Sequence, residues 1–493
     1  MKYLLGIDIG TSGVKTLLIK EDGTIAGKST KEYSLETPMA SWAQQNPQDW
    51  WNAAVESIRE VLRQSSIQPS EVTGIGLSGQ MHGSVFLDKT GKVLRPCILW
   101  CDQRTTKQCE YITKKVGSKK LISLVSNPVL TGFTAGKILW VKENEPKIYK
   151  KISKVLLPKD YIRYKLTGVY ATEVSDASGT LLLDVKKRKW SKELLDILEI
   201  PLSWMPDCYE STFISASINE EAAFLTGLKK STPVAGGGGD QAAGAVGSGV
   251  VEPGIISVTI GTSGVVFAYS DKPKTDLQGR VHTFCHAVPD KWHVMGVMLS
   301  AGGAFQWFRN NIGTASYNIL TDNTKNIPAG SEGLIFLPYL SGERTPHCDP
   351  YARGVFFGLT LKHTKEHMAK AVLEGVGFGL KDSLEILRSM KIPVKQIRVS
   401  GGGAKSMVWM QILADIFGAE LVTINTTEGA AYGAALLAGV GTKVYKSIKE
   451  ACEKTINVTG RITPNKKNTE IYKHHHLLFT SLYKGLKNNF KSI

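Results

Sequence analysis

A run of glycines followed by an acid is the stretch of this chain whose residue types could do chemistry. Residues 233–245 read PVAGGGGDQAAGA, so an apolar lead-in passes into four glycines, then Asp240, Gln241 and small helix-compatible residues. Glycine lets backbone N–H groups approach a ligand closely, and a helix N-terminus adds partial positive charge. The stretch predicts a strand that ends at a phosphate or sugar, with Asp240 able to meet a substrate hydroxyl. A flexible hinge at residues 236–239, with Asp240 as an ordinary helix N-cap, fits this stretch equally well.

A second pattern is a hydroxyl-bearing turn that occurs twice. Gly-Thr-Ser-Gly-Val stands at residues 10–14 and again at residues 261–265, each time between two apolar strands. Such a turn exposes consecutive N–H groups and two hydroxyls, which together can cradle a phosphate. One copy alone would be explained as a common tight turn, but two copies in matched contexts favour phosphate binding.

The glycine run also has an echo in the second half of the chain. VAGGGGD at residues 234–240 resembles VSGGGAK at residues 399–405, and each leads into a helical segment. This repetition predicts a duplicated domain with a cleft between the copies. On this alignment two acids of the first half are replaced in the second, Asp8 by Thr259 and Asp240 by Lys405. We therefore expect acceptor activation on one side of the cleft and nucleotide binding on the other.

The surrounding pattern predicts the elements that position these residues. Three strands separated by turns cover residues 2–33, and Asn46-Pro47 has the residue types of an N-cap and a first helical position. A strand at residues 72–77 leads into the loop SGQMHG at residues 78–83. The G-x-G-x-x-G spacing at residues 74–79 lies inside that strand instead of a turn that opens a helix, so it does not indicate a dinucleotide site.

Length and composition limit the class of protein. A chain of 493 residues is too long for one hydrophobic core, so two domains are expected. The net charge of +16 is spread over many segments, which favours a solvated lysine-rich surface over nucleic-acid binding. The seven cysteines form no C-x-x-C pair and predict reduced thiols in a cytoplasmic protein. No segment has the pattern of a signal peptide or a spanning helix, so we expect no membrane association.

Several longer motifs give a resemblance to a known family. DIGTS at residues 8–12, GFTAGKILWVKEN at residues 132–144, the block at residues 354–374 and GGGGDQ together resemble the FGGY carbohydrate kinases. These belong to the sugar kinase/Hsp70/actin superfamily, and the resemblance covers essentially the whole chain. It implies an α/β fold of two duplicated actin-like, ribonuclease H-like domains with a cleft between them. The expected divisions are a sugar-binding domain at residues 1–248, a nucleotide-binding domain at residues 249–440 and a helical tail at residues 441–493.

The resemblance also implies the reaction. The expected chemistry is in-line phosphoryl transfer from MgATP to a ketopentose hydroxyl, with D-xylulose as the expected acceptor. Another ketose, such as ribulose, or a polyol is the alternative. Met81-His82 replaces the Arg-Glu pair of glycerol kinases, which argues against glycerol. Cys101 stands where such ketose kinases often have Asn, which affects the expectation for the acceptor and not that for the chemistry. A homodimer is possible.

The resemblance assigns roles to matching positions of this chain. Asp240 matches the catalytic base, and Asp8 matches an acid that, with Asp240, holds Mg²⁺ directly or through water. The residues expected to bind the acceptor are Gln80, Met81, His82, Asp240 and Gln241. The residues expected to bind the nucleotide are Thr11, Ser12, Gly261, Thr262, Gly302, Gly303, Gly401, Gly402 and Ala404.

Some alternatives stay open at this point. An actin- or Hsp70-like ATPase would not need the acceptor loop at residues 80–82, and a nucleic-acid binder would show salt-dependent duplex binding. Trp100, Asp102 and Arg104 suit either a sugar pocket or a loop-fixing ion pair. Glu343 and Arg344 are expected to order a cleft loop. The three histidines at residues 474–476 point in different directions on a helix and predict a solvated face, not a metal site.

Overall fold

The computed structural model describes all residues 1–493, which form two α/β halves and a C-terminal extension. The strands of the first half are β1 (Tyr3–Ile9), β2 (Gly13–Lys20), β3 (Ile25–Glu32), β4 (Gln44–Gln45), β5 (Val72–Gly79), β6 (Val85–Leu87), β7 (Cys97–Ile98), β8 (Lys154–Leu156), β9 (Ala171–Glu173), β10 (Leu183–Asp184), β11 (Lys189–Trp190), β12 (Asp207–Tyr209), β13 (Ile214–Ser217), β14 (Pro233–Ala235) and β15 (Gly238–Gly239). Its α-helices are α1 (Pro47–Ser65), α2 (Thr106–Val116), α3 (Ser118–Val125), α4 (Thr134–Asn144), α5 (Pro146–Tyr149), α6 (Pro158–Thr167), α7 (Val174–Ser178), α8 (Lys192–Leu198), α9 (Glu220–Thr226) and α10 (Asp240–Gly247).

The remainder of the chain repeats this mixture of strands and helices. Its strands are β16 (Gly254–Ile260), β17 (Gly264–Ser270), β18 (His282–Cys285), β19 (Trp292–Met298), β20 (Ile335–Pro338), β21 (Gly354–Phe357), β22 (Val394–Gly401), β23 (Leu421–Ile424) and β24 (Val458–Ile462). Its α-helices are α11 (Gly302–Phe308), α12 (Tyr317–Asn323), α13 (Lys365–Ser389), α14 (Met407–Phe417), α15 (Gly429–Gly441), α16 (Ile448–Thr455) and α17 (Lys466–Leu486).

The two main sheets have matching topology, which confirms the predicted duplication. Their orders are β13-β14-β5-β1-β2-β3 and β18-β19-β17-β16-β22-β23-β24. In each, a central strand pairs antiparallel with the strand that follows it and parallel with a later one. Asp8 lies opposite Ser78 in the first sheet, and Thr259 lies opposite Ser400 in the second. The predicted correspondence of Asp8 with Thr259 is therefore confirmed by register.

The correspondence of the two glycine runs is wrong. Residues 399–405 begin in β22 and continue past its end, and β22 takes the place of β5 next to the central strand. Residues 234–240 begin instead in β14, one strand further out. The counterpart of Lys405 thus lies in the loop after β5, and the counterpart of α10 is α15. The sequence misleads here because glycine is used wherever backbone must pack closely at a strand end, whichever strand it is.

Other predicted elements are confirmed. β1, β2 and β3 form the antiparallel meander, and α1 begins at Pro47 with the Asn46 side chain accepting the N–H of Gln48. Gly76, one of the glycines of the G-x-G-x-x-G spacing, lies inside β5, where a Cβ would overlap the carbonyl of Ala434 in α15. Gly76 is therefore needed for the close packing of α15 on β5 and does not indicate a dinucleotide site.

The C-terminal extension departs from the expected helical tail. α17 packs on the second half through the buried rings of Tyr472, Phe479 and Tyr483. However, β24 pairs with β23 and closes the edge of the second sheet. None of the seven cysteines is in a disulfide. No helix has the length and apolar character needed to cross a membrane.

Two helices cross where the halves meet. α10 packs against α15, and α15 in turn covers β1 and β5 of the first sheet. The backbones approach so closely that a Cβ on Gly433 would overlap the carbonyl oxygen of Ala243. A second contact forms at β18, where the Asn127 amide exchanges hydrogen bonds of 2.8 and 3.1 Å with the backbone of Thr283.

We expect Gly433→Ala to destabilise the protein because the crossing has no room for a methyl group. Overpacking of this kind costs about 1–3 kcal/mol. Gly485→Ala is the matched control, since Gly485 is also in a helix but a Cβ there meets nothing within 4 Å. That change should be neutral or stabilising by up to about 1 kcal/mol. Thermal unfolding of the two variants would contradict the prediction if both midpoints shifted equally.

Candidate active site

Asp240 is the first residue of α10 and is not its N-cap. The N-cap position belongs to Gly239, and the Asp240 carboxylate accepts one protein hydrogen bond, at 2.7 Å from the N–H of the neighbouring Gln241. The interpretation of Asp240 as an ordinary capping residue is therefore wrong. Its side chain is left available at the end of the strand.

The glycine run before Asp240 is fixed, which contradicts the flexible-hinge alternative. The Arg163 guanidinium donates to the carbonyl oxygens of Ala235 and Gly236 at 2.8 and 2.5 Å. The N–H of Gly237 donates to the Ser211 carbonyl at 2.8 Å. Gly237 has φ +73° and a Cβ there would overlap Leu77, so only glycine fits.

A buried carboxylate holds the groups that fix this run. Glu173 accepts the hydroxyl of Ser175 at 2.9 Å and the hydroxyl of Ser211 at 2.8 Å. Ser175 in turn accepts the N–H of Gly239 at 3.1 Å. Glu173 also accepts backbone N–H groups at the start of α7, so one carboxylate ties α7 to the strand that delivers Asp240.

Further buried charges surround Glu173. The ammonium of Lys159 lies 2.7 Å from Asp160, 3.1 Å from Asp176 and 3.5 Å from Glu173, and all four side chains are inaccessible to solvent. Buried charges are tolerated only when they are paired in this way. The cluster therefore forms a rigid base beneath the glycine run.

Asp8 on β1 and Asp240 at the start of α10 interact electrostatically. Burial raises the pKa of Asp240 to about 7, and the negative charge of Asp8 adds to the rise, while hydrogen bonding to Gln241 opposes it. Burial likewise raises the pKa of Asp8, against the lowering effects of Ser78 and Lys15. A carboxyl group with a pKa near 7 can take up a proton at neutral pH.

The same two carboxylates fit a hard cation. The Oδ1 atom of Asp8 is buried and accepts no hydrogen bond, and Asp240 has only the one described above. No third His, Cys, Asp or Glu joins them in an arrangement that could hold a metal ion. Mg²⁺ suits such a site because it keeps several waters and binds through one or two carboxylates plus phosphate oxygens.

His82 occupies the loop after β5 in a defined tautomer. Its φ is +70°, and its carbonyl accepts hydrogen bonds from Thr134 at 3.0 Å and Lys137 at 2.8 Å. Its Nδ1 lies 2.6 Å from the Gly179 carbonyl, so Nδ1 carries the proton and Nε2 is an acceptor. Burial lowers the pKa of His82 to about 3, which keeps the ring neutral.

The neighbours of His82 are placed to support the loop. Met81 is 4% exposed, and its side chain fills the space beside Gly239. Gln80 is 2% exposed and hydrogen-bonds Gly10 at 3.3 Å, Gln45 at 3.0 Å and Thr11 at 3.1 Å. Its amide is thus committed to joining the acceptor loop to the first hydroxyl-bearing turn.

The first hydroxyl-bearing turn, at residues 10–14, uses a hydroxyl within the protein and leaves two backbone N–H groups without an acceptor. The Thr11 hydroxyl accepts the Trp100 indole N–H at 3.0 Å, while the backbone N–H groups of Thr11 and Ser12 donate to nothing in the protein. Two adjacent unused N–H groups suit a phosphate oxygen.

Asp102 and Arg104 form the loop-fixing ion pair. Their side chains are 2.7 Å apart and almost fully buried, and Asp102 also accepts the N–H of Ala43 at 2.6 Å. The Arg104 guanidinium lies 3.9 Å from the ring centre of Trp42. Neither side chain is open to a ligand.

Two residues of the second half reach the acceptor side and were missed as site residues. The His282 ring on β18 is 4% exposed and lies 5.7 Å from Phe133, which itself lies 4.8 Å from His82. Arg344 makes no side-chain hydrogen bond or ion pair within the chain. Burial is the main cause that lowers the pKa of His82 and of His282, and the positive charge of Arg344 lowers both further. Glu343 orders the loop as expected, by accepting the N–H of Leu299 at 2.9 Å. The sequence offers one signal for His282, because the apolar segment HTFCH at residues 282–286 contains two histidines.

A cavity of about 420 Å³ in the second half collects part of the predicted nucleotide set. Gly261, Thr262, Gly302 and Gly402 line it, together with residues outside the predicted nucleotide-binding set. These are Ile260, Phe305, Gln306, Tyr317, Asn318, Thr321, Gly403, Lys405, Ser406 and Trp409.

The other predicted nucleotide residues lie elsewhere. Gly303 donates its N–H to Thr262 at 3.0 Å from behind the turn, and Gly401 is pressed against Ile260 at φ +87°. Ala404 packs against the hydrophobic core. These three support the cavity without lining it, because a glycine pattern does not distinguish a ligand contact from a close backbone contact.

The raised pKa of Asp240 predicts a pH-dependent effect on stability. The carboxyl holds its proton more tightly in the folded protein than at its ordinary value of 3.8, so folding is favoured at acid pH and that contribution is lost as pH rises toward about 7. Asp240→Asn cannot ionise, so its melting temperature relative to the parent should increase from pH 5 to pH 8. Asp22→Asn is the control: Asp22 has a lowered pKa, so its difference should stay constant over this range. A constant difference for Asp240→Asn as well would contradict the assignment.

Comparison with known proteins agrees with this geometry. The family model described as "FGGY family of carbohydrate kinases, N-terminal domain" matches residues 3–247, and the model for the C-terminal domain matches residues 256–442. A xylulose kinase of Bacillus subtilis is 40% identical over 99% of this chain and 98% of its own, and a gluconokinase of the same species is 33% identical over 100% and 97%. The crystal structure of a kinase from Brucella ovis, titled "xyloylose kinase", has a TM-score of 0.93 at 38% identity, with 99% of each chain covered. The chain therefore belongs to the FGGY family of carbohydrate kinases.

Proposed function

We propose that this protein transfers the γ-phosphoryl group of ATP to a hydroxyl of D-xylulose. The observation that carries the proposal is the Asp240 carboxyl, whose pKa of about 7 and single hydrogen bond leave it able to accept a proton. The similarity to a xylulose kinase along the whole chain supports the choice of acceptor.

In the proposed reaction Asp240 removes the proton of the acceptor hydroxyl. The hydroxyl oxygen forms a bond to the γ-phosphorus as the bond from that phosphorus to the β,γ-bridging oxygen breaks, so ADP leaves and the proton stays on Asp240. Such transfers need little covalent chemistry, because positioning and charge neutralisation supply most of the rate.

The remaining residues bind and orient. The neutral Nε2 of His82 accepts a hydrogen bond from a sugar hydroxyl, and the ring of His282 and the Arg344 guanidinium close the pocket from the other half. Gln80 and Met81 position the loop instead of touching sugar. The unused N–H groups of Thr11 and Ser12 face phosphate oxygens.

The nucleotide occupies the cavity described above. Gly261, Thr262, Gly302 and Gly402 allow phosphates to approach the backbone, while Trp409 and Tyr317 supply aromatic surface for the base. Asp8 and Asp240 would hold Mg²⁺, directly or through water, and the ion would neutralise phosphate charge there.

A second acceptor class has one observation in its favour. Arg344 has no carboxylate partner in the chain, and a guanidinium of this kind would bind the carboxylate of D-gluconate. The gluconokinase relative makes this the alternative that the experiment must exclude.

A coupled assay of ADP release tests both the reaction and the acceptor. With D-xylulose, D-ribulose, D-gluconate and glycerol in parallel, we expect kcat/KM to be highest for D-xylulose. Asp240→Asn should lower kcat by about 10²-fold or more, the usual scale for loss of a general base, with little change in sugar affinity. Turnover of the variant near the parent rate would contradict the role of Asp240 as the base. A preference for D-gluconate would contradict D-xylulose as the acceptor.

Two substitutions should separate the acceptor and nucleotide sites. His82→Asn retains a residue that tolerates positive φ but removes the imidazole, so the KM for ketose should rise about 10-fold or more while that for ATP changes little. Gly402→Leu should do the reverse, because a Cβ at Gly402 meets nothing closer than 3.9 Å while the side chain enters the cavity. Equal losses for both substrates in either variant would indicate a folding defect instead.

A further inference from the structure

A second cavity, also of about 420 Å³, lies between α13, α14 and α17 and shares no residue with the nucleotide cavity. It is lined by Lys381, Glu385, Arg388, Ile416, Phe417, Gly418, Thr469, Lys473, His476 and Leu477. We call it the α13/α17 groove. It has the size of a small-ligand site, and neither the family resemblance nor the proposed reaction uses it.

The groove contains a buried cation without a partner. Lys381 is 7% exposed, and its ammonium group makes no hydrogen bond or ion pair within the chain. Burial lowers the pKa of Lys381. The negative charge of Glu385 opposes this effect, whereas the positive charges of Arg388 and Lys473 add to it. Charge removed from water without a counter-charge is costly, so a buried ammonium facing a cavity lacks its partner.

The acids around the groove are already paired. Glu385 lies 2.7 Å from Arg388, Asp382 lies 2.7 Å from His476, and Glu470 lies 2.6 Å from Lys473. No acid remains for Lys381. Lys381 is therefore the unpaired cation of the groove, beside the paired cations Arg388 and Lys473. The apolar side chains of Ile416, Phe417 and Leu477 line another part of it.

We propose that the α13/α17 groove binds a small phosphorylated compound. The phosphate dianion would lie against Lys381, with Arg388 and Lys473 completing its neutralisation, because clustered Lys and Arg are the side chains that bind phosphate oxygens. The apolar wall accommodates the carbon skeleton of a phosphate ester. Only 7% of the surface of Lys381 is exposed, so little of this side chain extends into water.

Calorimetric titration of the full chain tests the site, with the cleft filled by D-xylulose and a non-hydrolysable ATP analogue. Inorganic phosphate and ribose 5-phosphate are the probes, and we expect saturable binding with dissociation constants in the millimolar range or tighter. Lys381→Met should weaken binding at least tenfold. Lys484→Met, on the exposed face of α17, is the matched control and should change nothing. Sodium chloride at equal ionic strength should not reproduce the heat.

The outcomes discriminate between sources of the phosphate. Tighter binding of ribose 5-phosphate indicates that the apolar wall contributes, whereas equal binding of both probes indicates that the groove recognises the phosphate alone. Lys473→Met changes a more exposed position and provides a second variant if Lys381→Met does not fold; it should weaken binding at least threefold. Absence of saturable binding, or binding unchanged in the groove variants, overturns the proposal. Loss of binding in Lys381→Met or Lys473→Met places the bound probe in the groove and not in the cleft, whichever acceptor is phosphorylated.

Discussion

The hydrogen bonds of the Glu173 carboxylate hold the candidate site together. One buried side chain binds the hydroxyls of Ser175 and Ser211, and these two residues bind the backbone of the glycine run that ends at Asp240. Glycines by themselves would leave this run loose, since they lose more conformational freedom on folding than any other residue. The Glu173 network removes that freedom, and the Lys159 ammonium lies 3.5 Å from the Glu173 carboxylate as its partner inside the protein. Precision at Asp240 therefore depends on charges that never touch a substrate.

Burial has opposite consequences for the different groups of the site. It keeps His82 neutral, with a pKa of about 3, so the ring serves as a hydrogen-bond acceptor and not as a cation. It raises the pKa of Asp240 to about 7, which makes the carboxyl a better base and a less stable anion. The neighbouring Asp8 strengthens that second effect. A cation bound between the two acids would favour their ionised forms, so the same geometry suits both proton transfer and binding of Mg²⁺.

The sequence was sufficient where a local pattern determines the structure. Turn residues predict the meander, and the pair Asn46-Pro47 predicts the start of α1. The apolar strand at residues 72–77 predicts where the loop that carries His82 begins. Asp240 was found because an acid after a glycine run is distinctive. The sequence was not sufficient where a residue is needed because of its contact with a distant segment of the chain. Gly76 and Gly433 are needed for packing of α15, and no local signal separates them from glycines that line the nucleotide cavity. His282 and Arg344 became site residues only because folding brings the second half against His82.

The contact between the halves limits how they can move. α10 and α15 touch backbone to backbone at Gly433, and α15 also covers β1 and β5, so the halves cannot separate or slide here without losing close packing. β18 is hydrogen-bonded to Asn127 of the first half, and the pair His82 and His282 lies beside that contact. The pocket that we propose for the acceptor therefore lies beside a fixed contact between the halves, whereas the cavity that we propose for the nucleotide is lined by residues of α11, α12 and α14. In the proposed reaction, recognition of the sugar therefore depends on side chains held at the contact between the halves, and alignment of the reacting groups depends on how α11, α12 and α14 of the second half lie relative to Asp240.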